Sequence, residues 1–167
     1  ALTASATEDG FTKSKLCIVF PPSVLQAEGA QALSGGQTLL PTMKQRLAAP
    51  AVLVSLTGIA ETRGVCLDGG AVSVGGATIH SVVAKEARQY YPALADLAGG
   101  IGDAAVRSRG TIGGSLANND PSACYPAAVL GSGATIVTDR RKIAADDYFQ
   151  GMFTTALHDG EIIIGVT

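Results

Sequence analysis

Tryptophan is absent from this chain of 167 residues, aromatic residues make up only 5% of it and charged residues only 16%. Acidic and basic side chains nearly cancel, leaving a formal net charge of −2. Long-range charge therefore favours neither a nucleic acid nor an anionic membrane as partner. Cysteine is scarce: Cys17, Cys66 and Cys124 lie far apart and form no C-x-x-C element. An iron–sulfur cluster or a structural zinc needs several closely placed thiolates, so the chain alone supplies no metal site. The odd count argues against a disulfide framework and points to a reducing compartment. No apolar run reaches membrane-spanning length and no export signal stands out, so a cytoplasmic location without membrane insertion is expected. The first residue is Ala1 rather than Met, which points to a processed or incomplete start.

Apolar residues, at 47%, are plentiful enough for the core of one compact domain or of two small subdomains. Glycine is the outlier, with 21 residues, many in doublets: Gly35-Gly36, Gly69-Gly70, Gly75-Gly76, Gly99-Gly100 and Gly113-Gly114. Doublets mark turns or places where the backbone passes close to something else.

Residues 1–15 read as a polar lead-in, Leu16–Phe20 as a possible strand, and Ser23 as the cap of a short helix running to about Gly29. Gln31–Leu33 reads as a strand and leads into Ser34-Gly35-Gly36-Gln37-Thr38. Leu39, Leu40, Met43 and Leu47 then mark one helical face, Pro50 ends that helix, and Ala51–Leu56 reads as a buried strand. Together these make a βαβ unit. Further on, Asp68-Gly69-Gly70 joins Val65–Leu67 and Ala71–Val74 as a hairpin. Helices are expected over Thr78–Arg88, Pro92–Leu97 and Ser122–Leu130, and a helical turn or extended bridge over Ala104–Arg109. Ala134–Thr138 and Lys142–Ile143 read as paired strands, with Glu161–Val166 as a final one. The expected class is α+β, divided into residues 1–56 and 57–167, each carrying one hydroxyl–Gly–Gly loop.

The first loop is Ser34–Thr38. A phosphate needs several N–H donors converging on it, and side chains at the closest positions would block the approach, so glycine suits them. A helix starting near Leu39 would add its positive end, and Ser34 and Thr38 could donate hydroxyls. Taken alone, an ordinary strand-to-helix turn is the stronger reading. The second loop, Thr111-Ile112-Gly113-Gly114-Ser115, repeats the chemistry, and Asn118, Asn119 and Asp120 follow with groups suited to sugar hydroxyls. Asp120 before Pro121 could equally initiate a turn or cap a helix. Two such loops in one small domain shift the balance toward a diphosphate held from both sides. Neither loop is a P-loop or a Rossmann fingerprint.

In this order the two motifs resemble a known family. The stretch Ser34-Gly35-Gly36-Gln37-Thr38-Leu39-Leu40-Pro41, with Met43, Arg46-Leu47-Ala48 and Pro50, resembles the first FAD motif in the flavin subunit of molybdenum hydroxylases, the carbon monoxide dehydrogenase and xanthine dehydrogenase family. Val106 to Ala117 resembles the second FAD motif, and the tail from Asp146 through Gly151, Thr155 and Leu157 to Ile163 also fits. The resemblance spans roughly residues 20–167. It departs at Ser34, where the family usually has Ala, at Ser108, where Asn is usual, and at Cys124, where an acid is common.

The resemblance implies a two-subdomain FAD-binding fold of the vanillyl-alcohol oxidase and para-cresol methylhydroxylase type. The family continues into a C-terminal subdomain that this chain, ending at Thr167, is expected to lack, as a fragment or a shortened relative. It implies FAD held at the pyrophosphate by Ser34, Gly35, Gly36, Gln37 and Thr38, flanked by Leu33 and Leu39, and by Thr111, Gly113, Gly114 and Ser115. Ile101 and Gly102 would lie near the flavin or its ribityl chain, with Asn118 and Asp120 as further polar contacts. It implies an oxidoreductase subunit that takes electrons from an iron–sulfur small subunit, beside a molybdenum-cofactor large subunit, and passes them to an external acceptor. A flavin-free docking module derived from that family is the alternative. No catalytic or metal-ligating residue is expected in this chain. His80 and His158 are expected at the surface or in caps, Cys124 as a packed thiol, and Tyr90-Tyr91 in the core or along a cofactor edge. Arg107 and Arg109 could steady a phosphate, meet a partner subunit or serve structure.

Overall fold

The computed structural model describes residues 25–167. The expected lead-in and the strand over Leu16–Phe20 lie outside them. So does the start of the expected helix after Pro22; residues 25–29 form turns and bends, not helix.

Strand β1 (Ala30–Leu33) pairs in parallel with β2 (Val52–Ser55), and helix α1 (Leu39–Lys44) crosses between them, so the βαβ unit forms as its pattern predicts. Two expectations about it need correction. Strand β2 is not buried: Val52 and Leu53 are exposed and only Val54 is enclosed. Helix α1 has no buried residue, and it ends before Leu47, because Arg46 turns into the left-handed region at φ 60° and leaves Leu47 75% exposed.

A five-stranded sheet follows, in the order β3-β4-β9-β5-β6. Its members are β3 (Val65–Asp68), β4 (Ala71–Gly75), β5 (Thr135–Thr138), β6 (Lys142–Ala144) and β9 (Ile163–Val166), and every neighbouring pair is antiparallel. Gly69 and Gly70 turn the β3–β4 hairpin with φ of 55° and 87°, which glycine alone adopts without penalty. Strand β9 is central and wholly buried, and that position accounts for the unbroken apolar run Ile162–Ile164. Side chains alternate across a strand. Ile163 accordingly joins the main core, while Ile162 and Ile164 meet Val137 in a second cluster with Leu25, Ala32 and Leu56; a register shift against β5 between Val137 and Thr138 returns Val166 to the main-core face. That second cluster ties the β1–β2 unit to the large sheet. Burying each such side chain contributes roughly 1.5–3 kcal/mol.

The main core lies between the sheet and helices α2 (His80–Glu86), α3 (Pro92–Gly100), α5 (Ile112–Asn118) and α6 (Cys124–Gly131). Pro92 opens α3 where its missing N–H costs nothing. Helix α2 starts two residues later than the sequence pattern suggests. Thr78 is occupied elsewhere, its hydroxyl exchanging hydrogen bonds with Gly64, and Ile79 bridges to Thr111. Helix α4 (Ala104–Arg107) is a single turn capped by Asp103, whose carboxylate accepts from Val106 N at 2.9 Å. After α7 (Ala145–Tyr148), strands β7 (Phe149–Gly151) and β8 (Thr154–Thr155) form a separate hairpin.

Three side chains expected inside lie outside. Cys124, at the first position of α6, is exposed, because the mean period of that helix turns Tyr125 and Val129 inward instead. Tyr90 and Tyr91 are each 39% exposed and lie in the turn before α3, not in the core. No helix among the described residues is long and apolar enough to cross a membrane.

Candidate functional site

The two glycine loops meet. Ser34 Oγ lies 3.0 Å from Thr111 Oγ1, across 77 positions of sequence. A Cβ added to Gly35 would fall 2.2 Å from the Arg109 carbonyl oxygen and 2.8 Å from Gly110 Cα, so the backbones touch at this point and only glycine fits. A cavity of about 540 Å³ opens beside the junction, in the size range of small-molecule sites. Its wall takes in every residue from Leu33 to Leu39, along with Ile101, Thr111, Gly113, Gly114, Ser115, Asn118 and Asp120. Of the residues singled out from the sequence, Gly102 does not line it. Gly102 turns at φ 47°, and its carbonyl accepts from Arg107 Nη1 at 2.8 Å.

The loops differ in what their amides do. Gly36 adopts φ 71°. Among the described residues, the backbone N–H groups of Gly35, Gly36, Gln37 and Thr38 have no acceptor. Successive unpaired amides around a left-handed glycine, in a loop that lines a cavity, suit an anion-binding nest. In the second loop the amides are already engaged. Ile112 N donates to Thr78 O, Gly113 N to Gly76 O and Ser115 N to Thr111 O, and Gly114 N donates to the capping hydroxyl of Thr111 at 3.1 Å. The expectation of two equivalent amide nests is therefore corrected. Residues 76–80 run antiparallel to 110–113 and take the donors of Ile112 and Gly113, while Thr111 takes those of Gly114 and Ser115; Ser115 still lines the cavity.

The polar residues after α5 also divide. Asn118 and Asp120 reach the cavity. Asp120 Oδ1 accepts from both Ser122 N and Ser122 Oγ, and these bonds hold its carboxyl below the usual range. Asn119 is committed to structure: left-handed at φ 44°, it donates to the carbonyls of Gly151 and Thr154 at 2.7 and 2.9 Å and pins the β7–β8 hairpin. Arg107 also serves structure, donating to the carbonyls of Ile101 and Gly102.

Several wall residues carried no local signal. His80 was expected at the surface or in a cap; it stands at the first position of α2, but it is buried and lines the cavity. His158 is exposed and lies 3.9 Å from Glu161. Leu157, Glu161 and Ile162 reach the wall from the tail, where the family resemblance alone could have marked them. Burial would raise the Glu161 carboxyl. Hydrogen bonds from Arg141, Thr138 Oγ1 and His158 N outweigh it and hold the group at about 2. Arg141 also donates to Ala156 O, so this ion pair fixes the segment that brings Leu157 to the cavity. No group of three or more His, Cys, Asp or Glu side chains suited to a metal occurs among the described residues.

Comparison with known proteins gives the same picture of the chain. The family model described as the FAD binding domain in molybdopterin dehydrogenase matches residues 23–167. The carbon monoxide dehydrogenase medium chain of Hydrogenophaga pseudoflava is 35% identical over 143 residues, which cover 82% of this chain and 50% of that protein. The nicotine 6-hydroxylase medium subunit of Paenarthrobacter nicotinovorans is 33% identical, over 83% of this chain and 51% of that subunit. Among solved structures, carbon monoxide dehydrogenase from Hydrogenophaga pseudoflava superimposes with a TM-score of 0.83 at 33% identity, covering 87% of this chain and 53% of that one. Quinoline 2-oxidoreductase from Pseudomonas putida 86 gives 0.82 at 32% identity, covering 87% and 54%. The chain thus spans about half the length of the curated relatives it matches.

Proposed function

Since the chain belongs to the family of FAD binding domains in molybdopterin dehydrogenases, we propose that it is the FAD-holding part of an electron-transfer subunit in a molybdenum hydroxylase complex. In this reading an iron–sulfur small subunit delivers electrons, a molybdenum-cofactor large subunit oxidises the substrate, and an external acceptor takes the electrons away. The chemistry that FAD supplies when bound is the exchange between single-electron and two-electron carriers. The chain's own residues bind and orient it. Residues 1–56 and 57–167 would be the two subdomains of a vanillyl-alcohol oxidase-type fold, meeting over the pyrophosphate.

The observation that carries this reading is the open amide nest at Gly35–Thr38, facing a cavity where the second loop closes against it. The nest would hold the pyrophosphate. Thr111 would act through Ser34, fixing where the first loop stands, and the Ser115 hydroxyl would add a donor. Leu33, Leu39, Ile101 and Leu157 give apolar wall that excludes water, while Asn118 and Asp120 suit sugar hydroxyls. Gly102 would act only by shaping the backbone after Ile101. The unpaired nest speaks against a flavin-free docking module, which has no use for it.

Titrating the purified chain with FAD tests the reading. Bound FAD should be retained on gel filtration and should raise stability by about 2.7 kcal/mol at hundredfold excess over Kd. A protein that stays colourless and shows no thermal shift under native conditions would refute it.

A further inference from the structure

His80 has no place in either glycine loop, yet both rest on it. It opens α2, is buried, and lines the cavity. Its backbone N–H donates to Gly110 O at 3.0 Å. A Cβ on Gly110 would fall 2.5 Å from His80 Nε2 and 2.9 Å from Cδ2, so the imidazole lies directly against Gly110. Gly110 is in turn the surface on which Gly35 packs, and its neighbour Thr111 is the residue that meets Ser34. The three layers therefore run from the imidazole through Gly110 to the first loop. Behind the imidazole stands the ring of Tyr125, with centroids 5.3 Å apart and planes inclined at 47°. Among the described residues, neither His80 Nδ1 nor the Tyr125 hydroxyl, both buried, has a hydrogen-bond partner.

We propose that His80 is a positioning residue for the cofactor cradle: its imidazole, wedged between Tyr125 and Gly110, sets where the second loop meets the first. This rests on the FAD reading for the ligand, but the positioning itself is a property of the chain. With no hydrogen bond to its Nδ1 among the described residues, the imidazole is held by packing against Gly110 and the Tyr125 ring. Burial alone pushes its imidazole down from 6.5 to about 4, so it is neutral when seated. Tyr125, from α6, is the titratable group in ring contact, and burial holds its hydroxyl protonated. The charged residues of the helices packed on α2 are engaged elsewhere. Asp96 of α3 pairs with Arg88, Arg107 of α4 binds carbonyl oxygens, and Glu86 of α2 itself accepts from Val65 N.

The sign of the pH effect follows. Below 6.5 a displaced, exposed imidazole takes a proton, while the seated one stays neutral down to about 4. Between those values the seated arrangement is disfavoured by up to about tenfold per pH unit, and it regains its full weight above 6.5.

Two measurements test this. The first is FAD affinity of the wild type, His80→Ala and His80→Gln, followed by flavin fluorescence from pH 7.5 to pH 4. At pH 7.5 His80→Ala should weaken binding about tenfold, whereas His80→Gln, whose amide can occupy the Nε2 position, should stay within about threefold. The wild type should lose affinity as pH falls through the window, and His80→Gln should lose that component. The second needs no FAD. With Ser34→Cys and Thr111→Cys introduced together, the pair should oxidise to a disulfide, mapped by mass spectrometry, and adding His80→Ala should slow that step about tenfold. Equal crosslinking rates with and without His80→Ala overturn the positioning role. A wild type that takes up no FAD, while crosslinking still depends on His80, overturns the cofactor reading instead.

Discussion

Gly35-Gly36 and Gly113-Gly114 sit in loops of the same written pattern and touch one another, but their glycines answer different needs. In the first loop Gly36 takes a left-handed conformation at φ 71°, and the amides around it stay unpaired toward the cavity. In the second, Gly113 is small because a Cβ there would fall 2.6 Å from the Gly76 carbonyl oxygen, and Gly114 because a Cβ would fall 2.9 Å from the capping hydroxyl of Thr111. Gly35, like Gly113, makes room for the protein's own backbone; what sets the first loop apart is the left-handed Gly36 and the unpaired amides around it. A hydroxyl–Gly–Gly motif is thus not by itself a phosphate site. What decides is whether the N–H groups it frees find an acceptor within the fold.

The largest expected effect comes from placing a charge in the open loop. Gly36→Asp should abolish detectable FAD binding in a fluorescence titration, since a like charge about 4 Å from a phosphate costs about 4 kcal/mol at the effective dielectric of a protein surface. The fold should melt somewhat below the wild type, because a side chain at φ 71° costs roughly 1–2 kcal/mol and the added Cβ meets Leu40 Cδ1 at 2.8 Å and Leu40 Cγ at 3.2 Å, so affinity is read on the folded molecules. Wild-type affinity in this variant would remove the first loop from the site and collapse the contrast.

Gly113→Ala should do the reverse. Its methyl is driven into backbone, so thermal or urea denaturation should show a loss of roughly 1–3 kcal/mol, while the molecules that remain folded bind FAD with little change. A variant that is fully stable but blind to FAD would show that the second loop also holds the ligand through its amides. Ser34→Ala should have the smallest effect. Losing the Ser34–Thr111 hydroxyl contact costs about 1 kcal/mol of stability, read as a melting temperature lower by about 2–4 °C, with Kd rising at most several-fold. An effect as large as that of Gly36→Asp would mean that the junction, not the nest, carries the affinity.

Much of this was legible locally. Short-range chemistry marks the hairpin at Asp68–Gly70, the start of α3 at Pro92, the strand–loop–helix around Gly36 and the βαβ unit, because each depends on residues a few positions apart. The predicted site residues line one cavity, with the exception of Gly102 and of Asn119, read beside Asn118 as a further polar candidate. What failed depended on distant partners. Cys124 and Tyr90-Tyr91 look interior by type, but the facing of α6 and the turn before α3 leave them exposed. Asn119 looks like a ligand contact beside Asn118, yet the β7–β8 hairpin claims its amide.

The sequence by itself determined where the chain could bend sharply, which stretches alternate and which carry helical period, and which backbone amides could in principle be left unpaired, because these follow from the φ range and side-chain bulk of each residue. Tertiary structure alone decided which of those amides stay unpaired. The carbonyls of Gly76 and Thr78 come across from another part of the chain to take the second loop's donors, and His80 is carried with them beneath the junction. A hydrogen bond needs its acceptor within about 3 Å, and a sequence does not record which distant carbonyl arrives there.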